Sequence, residues 1–277
     1  MILAPRYDGT AILSIAGGPS DVREPFIRQR RRMQTMLLSF SDHQWAMASR
    51  CVAWTVRDVV AHLVTVNAFW HSSILAGLAQ APTRMLVGFD PAATPPLLVD
   101  SMRSLSATEV RDQFVATTDA LVDAVSGLTD DEWMALAESP AGILPVRLLV
   151  QHALWDSWIH ERDIALPLGI NAVSEPDELR VCLQFAAAIG PSLGIGLQRE
   201  RRGTFAVDGS NPTIRFVLEV GDSVALENGP PAPGVPCLNG DTEALIEALS
   251  LRAPMPKSTP SEWTALLNGL ESAFDVV

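Results

Sequence analysis

Positive charge is scarce in this chain. Of its 20 lysine and arginine residues only Lys257 is a lysine, and 32 aspartates and glutamates leave a formal net charge of −12. A surface of that sign has nothing with which to neutralise phosphates, so nucleic acid is not expected as a partner. Cysteine is also sparse. Cys51, Cys182 and Cys237 are scattered with no CxxC and no paired spacing, which excludes a disulfide framework and reads as reduced thiols. No stretch approaches eighteen uninterrupted apolar residues, so no membrane-spanning segment is expected. The opening run MILAPRYDGTAILSIAGGPSD lacks a basic region followed by a continuous apolar one. It reads as a tail and not as a signal peptide, and the chain is expected in the cytoplasm.

What is present is apolar residue in quantity. A hydrophobic content of 48% over 277 residues is enough for a sizeable core, in one large domain or two ordinary ones. The first 200 residues carry the period of helices. DVREPFIRQRRRMQTMLLSFS opens after Ser20 and Asp21 and places Phe26, Ile27, Met33, Met36 and Leu37 at helical intervals. Its basic run, Arg28 to Arg32, reads as a solvated helix face. TVRDVVAHLVTVNAFWHSSILAGLAQ begins at Thr55 with Asp58 three residues on, an acidic version of the capping box. After the proline-rich GFDPAATPPLL, the segment SATEVRDQFVATTDALVDAVSGL repeats Val110, Phe114, Thr117, Leu121 and Val125 as one stripe. A break from Gly142 to Pro145 precedes PVRLLVQHALWDSWIHERDIALPLG, which ends at Pro167 and Gly169. Four long amphipathic segments with short joins describe a four-helix bundle, with EPDELRVCLQFAAAIGPSLG as a fifth helix outside it.

Beyond about residue 200 the pattern changes. RGTFAVDGS, TIRFVLEVGD and SVALENG alternate and are punctuated by Gly, Asn and Asp, as antiparallel strands are, and DTEALIEALSLRA and PSEWTALLNGLESAFDV are helical again. The expected class is mainly α: a tail over 1–23, a helical bundle over 24–200 and a small α+β domain over 201–277.

The five histidines carry the chemistry. His43 lies in a polar break, and His71 falls on the opposite side of its helix from His62. His62 aligns with the core-facing Val59, Val66 and Phe69. In HALWDSWIH, His152, Asp156 and His160 follow one another at four-residue spacing and share a helix face. Asp156 and His160 at i, i+4 can grip one cation, and a bundle supplies further ligands only from a facing helix. His62 with Asp156 and His160 is therefore one candidate metal site, with His152 and Asp163 as supporting residues; Asp163 can accept from an imidazole N–H and fix its tautomer. The alternative from spacing alone is an intrahelical pair, with Glu161 and Arg162 facing solvent. Cys51 reads as a structural thiol, and Trp155 and Trp158 as packing.

Two stretches add a resemblance. WTVRDVVAHL and HALWDSWIHERDIALPLG, with the lead-in LLSFSDHQWAMASRC, resemble the N-terminal domain of the mycothiol-dependent maleylpyruvate isomerase family, part of the wider DinB-like metal-binding bundles. The region containing CLNGDTEALIEALSLRAP is similar to the sterol-carrier-like domain that follows the bundle in many members. The resemblance implies a divalent metal, usually zinc, with nickel or iron as alternatives, held at the positions of His62, Asp156 and His160. It implies mycothiol as a thiol cosubstrate, activated as a thiolate, and a small electrophilic substrate, in an isomerase or transferase that is a monomer or homodimer. This chain has D-xxx-H where the isomerase resembles E-xxx-H, which shortens the carboxylate ligand by one methylene. A non-catalytic metal-binding bundle, with a C-terminal domain that binds a ligand or partner, is the alternative.

Overall fold

The computed structural model describes residues 6–196 and 201–272. A three-residue strand, β1 (Leu13–Ile15), leads into helix α1 (Ser20–Leu38), and a single turn, α2 (Asp42–Trp45), follows. The long helix α3 (Val56–Leu78) is joined through α4 (Thr94–Ser101) to α5 (Ala107–Ser126). A short α6 (Asp130–Trp133) and the hairpin β2 (Leu136–Ser139) and β3 (Gly142–Pro145) precede α7 (Val146–Ala165) and α8 (Pro176–Gly196). Then come β4 (Gly203–Ser210), β5 (Ile214–Val220), β6 (Val224–Asn228), β7 (Cys237–Asp241), α9 (Thr242–Leu249), α10 (Ser261–Leu267) and a closing 3-10 turn. The class is mainly α with a small α+β part, as the sequence pattern predicts.

Helices α1, α3, α5 and α7 pack on one another as the bundle. Local chemistry starts them cleanly. Thr55 and Asp58 cap α3 reciprocally, as Ser106 and Glu109 cap α5. On α5 it is Thr118, not Thr117, that turns inward, where its hydroxyl accepts from Asn67 Nδ2 at 3.2 Å. Among the described residues α3 alone is long and apolar enough to cross a membrane, although no unbroken apolar run in it approaches eighteen residues. Over half of that stretch is buried inside the molecule.

Helix α7 is buried on every side except at Asp156 and lies between the bundle and α8. A helix buried all round is normally apolar, yet this one carries Arg147, Glu161, Arg162 and Asp163. Each is matched internally. Arg32 spans Glu161 at 2.8 Å and Glu178 at 2.7 Å. Arg162 lies over the Trp158 ring and reaches Glu243 at 3.3 Å. The solvated face expected for Arg28 to Arg32 holds for the exposed Arg28 and Arg31 but not for Arg30 and Arg32, and Glu161 and Arg162 do not face solvent. Arg30 is fully buried, and its guanidinium donates to Asn67 Oδ1 at 2.9 Å and to the Ala153 carbonyl at 2.8 Å.

The sheet order is β1-β6-β5-β4-β7, antiparallel in its centre and parallel at both edges. The edge strand β1 comes from the segment expected to be a tail: Leu13, Ser14 and Ile15 pair with Val224, Ala225 and Leu226. Three residues are too few for a period, and this strand exists only through its partner. Upstream of it, the Tyr7 hydroxyl donates to Glu138 Oε1 at 2.5 Å, and Arg6 crosses Gly142, where a Cβ would meet the Arg6 carbonyl oxygen at 2.7 Å. The boundary expected at residue 200 falls on 197–200, outside the described residues. One hydrophobic cluster runs from Phe26 and Trp158 in the bundle through Phe185 on α8 to Phe205 and Leu245 beyond it. A second cluster, with Val59, Leu63 and Phe114, surrounds the His62 end of the bundle.

Candidate metal centre

Helix geometry puts Asp156 and His160 on one face of α7, and α3 packs against that face with His62 two turns inside its N-terminus. The three side chains meet, with one ligand atom from each within 4.8 Å of the others. Both imidazoles address the same oxygen: Asp156 Oδ1 lies 3.7 Å from His160 Nε2 and 4.0 Å from His62 Nε2. These separations are too long for hydrogen bonds. They are close to the spacing of about 3.4 Å that two ligands take on one tetrahedral ion with bonds of about 2.0–2.1 Å.

The surroundings favour an ion there as well. Asp156 Oδ2 and His62 Nδ1 are buried with no hydrogen-bond partner among the described residues. A buried carboxylate oxygen without a donor is costly, and a cation removes that cost. The site is recessed but open, since the Asp156 side chain is 19% exposed whereas each imidazole is 10% exposed. Two nitrogens, one carboxylate and room for solvent match a zinc site with a free position.

The electrostatics follow from burial and the three imidazoles. Burial alone would raise the Asp156 carboxyl, but His62, His160 and His152 outweigh it and hold the pKa below the usual carboxylate range. Burial lowers His62, helped by the charge of His160. Burial also acts to lower His160, yet the hydrogen bond to Asp163, with Cys51 and Asp156 adding to it, raises it to about 10.

Asp163 stands at the back of the centre. Its Oδ2 lies 3.0 Å from His160 Nδ1. Arg50 Nε donates to Oδ1 at 3.0 Å, and Arg252 grips both oxygens at 2.9 to 3.2 Å. In the neutral ring, an Nδ1–H donated to Asp163 leaves the Nε2 lone pair facing Asp156 and His62, the tautomer a metal needs. Cys51, His160 and Asp163 also lie close enough to suggest a second ion, with Cys51 Sγ 3.3 Å from Asp163 Oδ2. Two guanidiniums already occupy that carboxylate, so a cation is repelled there and the cluster is a hydrogen-bonded support.

His152 does not join the three. It sits one turn away, 6% exposed, against Trp70, Phe185 and Trp155, at ring-centroid distances of 4.8, 4.7 and 5.6 Å. Burial there brings its pKa down to about 4. Trp158 is core, and Trp155 donates through Nε1 to Ser250 Oγ at 2.9 Å. His43 is exposed and His71 half-buried, and neither reaches the centre. The sequence reading missed Trp54, whose ring lies 5.3 Å from that of His62, and the two arginines on Asp163. Arg50 lies one residue before Cys51 in the loop leading to α3. Arg252 is about ninety residues beyond Asp163, and no local pattern connects it to the centre. A cavity of about 450 Å³ lies elsewhere, at the far end of α3 beside Gly77 and Leu136.

The profile of the mycothiol maleylpyruvate isomerase N-terminal domain matches residues 26–165, just over half of the chain. Two solved structures are similar in fold, a mycothiol-dependent maleylpyruvate isomerase and a histidine-to-alanine mutant of it. Each is 14% identical with a TM-score of 0.59, over 86% of this chain and 93% of the other. No curated protein sequence gives a significant match.

Proposed function

The chain belongs to the family of the mycothiol maleylpyruvate isomerase N-terminal domain, and on that premise we propose that it is a metal- and thiol-dependent enzyme, an isomerase or transferase acting on a small electrophile with mycothiol as cosubstrate. The observation that carries this reading is the convergence of His62 Nε2 and His160 Nε2 on one oxygen of Asp156. When bound, zinc at these residues supplies Lewis acidity to a thiol sulfur, so that the thiolate prevails near neutral pH.

The chain's own groups prepare that chemistry. His62, Asp156 and His160 would hold the ion from two facing helices, on side chains set by packed backbone and not by a loop. Asp163 keeps the His160 proton on Nδ1 and leaves Nε2 free to coordinate. Burial keeps His62 in its neutral, coordinating form. The partial exposure of Asp156 leaves one side open for a thiol to enter, while the Trp54 ring beside His62 shields another from water. None of the three cysteines is needed, since the nucleophile comes with the cosubstrate. Attack of such a thiolate on an unsaturated carbon, bond rotation and expulsion of the thiolate give a cis–trans isomerisation with no net change in the thiol.

The test is turnover by the zinc-loaded full chain supplied with mycothiol and maleylpyruvate, followed by the absorbance of the substrate. Conversion that needs both zinc and thiol supports the reading. No conversion of maleylpyruvate or other maleyl-type electrophiles by a chain that retains its zinc contradicts it and leaves a non-catalytic metal-binding bundle.

A further inference from the structure

The carboxylate behind His160 is held from two parts of the molecule. Asp163 belongs to α7 and is fully buried, so every one of its partners matters. Arg50, from the loop before α3, donates to Asp163 Oδ1 and also reaches across to both oxygens of Glu247 on α9, at 2.7 and 3.1 Å. The backbone of the same loop is tied to α7, because the Arg50 N–H donates to the Asp163 carbonyl at 3.0 Å. Arg252 comes from the turn after α9 and donates to both Asp163 oxygens. Two carboxylates and two guanidiniums thus join the bundle to the C-terminal part, with His160 on the Asp163 side of the group and Arg162 3.9 Å from Glu247 on the other.

The turn that carries Arg252 is built for this aim. Leu251 has φ +61°, in the left-handed region where helices usually end on glycine or asparagine. That conformation reverses the chain after α9, and the Arg252 N–H returns to the Glu247 carbonyl at 2.8 Å. The Leu251 side chain packs on the main hydrophobic cluster. The strain of the left-handed residue is held by that packing, by the Ser250 contact to Trp155 and by the grip of Arg252 on Asp163.

We propose that Arg252 is a positioning residue for the metal centre. Held from the C-terminal part, Asp163 is fixed in place, and with it the ring plane and tautomer of His160, so that metal binding in the bundle and seating of α9 with its turn are coupled. The proposal rests on the reading of His62, Asp156 and His160 as metal ligands. Coupling of this kind is reciprocal: whatever Arg252 adds to metal affinity, the metal returns to the seating of the turn.

Zinc affinity of the full chain, by competition with a chromogenic chelator, tests this together with the visible spectrum of the cobalt form and backbone hydrogen exchange over 242–252. In the native chain zinc should slow exchange in that segment. Arg252→Gln should bind zinc about tenfold more weakly, as loss of a partner behind a ligand does, with a shifted cobalt spectrum and no zinc-dependent protection. Arg252→Lys should recover part of the affinity. Ser250→Ala, which loosens the same turn without touching Asp163, should keep native zinc affinity, and this separates positioning from general destabilisation. Zinc affinity of Arg252→Gln within about twofold of native, small against the usual effect of such partners, with an unchanged cobalt spectrum overturns the proposal. If that variant does not melt cooperatively, Arg252→Lys decides by the same readouts. A native chain that takes up no metal overturns the ligand assignment beneath it, a result distinct from equal binding by native and variant.

Discussion

His62 Nε2 stands 4.0 Å from Asp156 Oδ1, helix to helix, with no hydrogen bond between them and no other partner on the far side of either group. Two polar groups this buried would ordinarily close on each other or take another donor. Their spacing is that of ligands sharing an ion. Asp156→Asn should therefore lower zinc affinity by more than the roughly 10–100-fold typical of residues behind the ligands. Asp156→Glu, which lengthens the carboxylate by one methylene, should keep a zinc equivalent. Chelator competition on both variants checks this.

Zinc uptake should release a proton. In the metal-free chain His160, with its pKa raised to about 10, is protonated near neutral pH, and coordination requires the neutral ring. Titration calorimetry in buffers of different ionisation enthalpy should give about one proton released per zinc, and affinity should rise about tenfold per pH unit. For folding, a raised histidine pKa gives stability that is complete below the unfolded value of 6.5 and is lost as pH rises toward 10. Melting of the metal-free chain should therefore lose this contribution over that alkaline window.

His152 should act with the opposite sign. Its folded pKa of about 4 lies below the unfolded 6.5, so the unfolded chain takes up the proton first. The destabilisation begins as pH falls through 6.5 and is complete below 4, at about 3 kcal/mol at most for a shift of this size. His152→Phe, which keeps a ring against Trp70 and Phe185, should flatten this part of the acid limb in thermal melts and leave zinc affinity unchanged.

Glu138 serves as a control far from the centre. Its fully buried carboxylate accepts from Tyr7 at 2.5 Å, Thr83 at 2.6 Å and the N–H groups of Met85 and Leu86 at 2.8 and 2.9 Å. Glu138→Gln turns an amide NH₂ toward donors and should destabilise the fold by about 2 kcal/mol in denaturant unfolding, without changing zinc binding.

The parts legible in the sequence are those whose signal is local. The Thr55–Asp58 cap, the period of α3 and α7 and the i, i+4 pair on HALWDSWIH all rest on residues within a few turns. His62 could be joined to that pair because α3 and α7 both turn a polar group toward one core, and a bundle leaves few places for such groups. What the sequence did not reveal depends on pairing across distance. Strand β1 is made by its partner β6, and β7 by β4. Arg30 and Arg32 look like a solvated basic run until Asn67, Glu161 and Glu178 are brought against them. Arg252 looks like any surface arginine until the left-handed turn at Leu251 aims it at Asp163.

The most direct test of the account is the metal content of the purified chain after zinc loading and dialysis, measured beside His160→Ala with helical circular dichroism as the check on folding. The account predicts about one zinc per native chain and none in a folded His160→Ala, as expected when one of three protein ligands is removed. Less than about a tenth of an equivalent in the native chain, far below what a formed site of this kind retains, would contradict it.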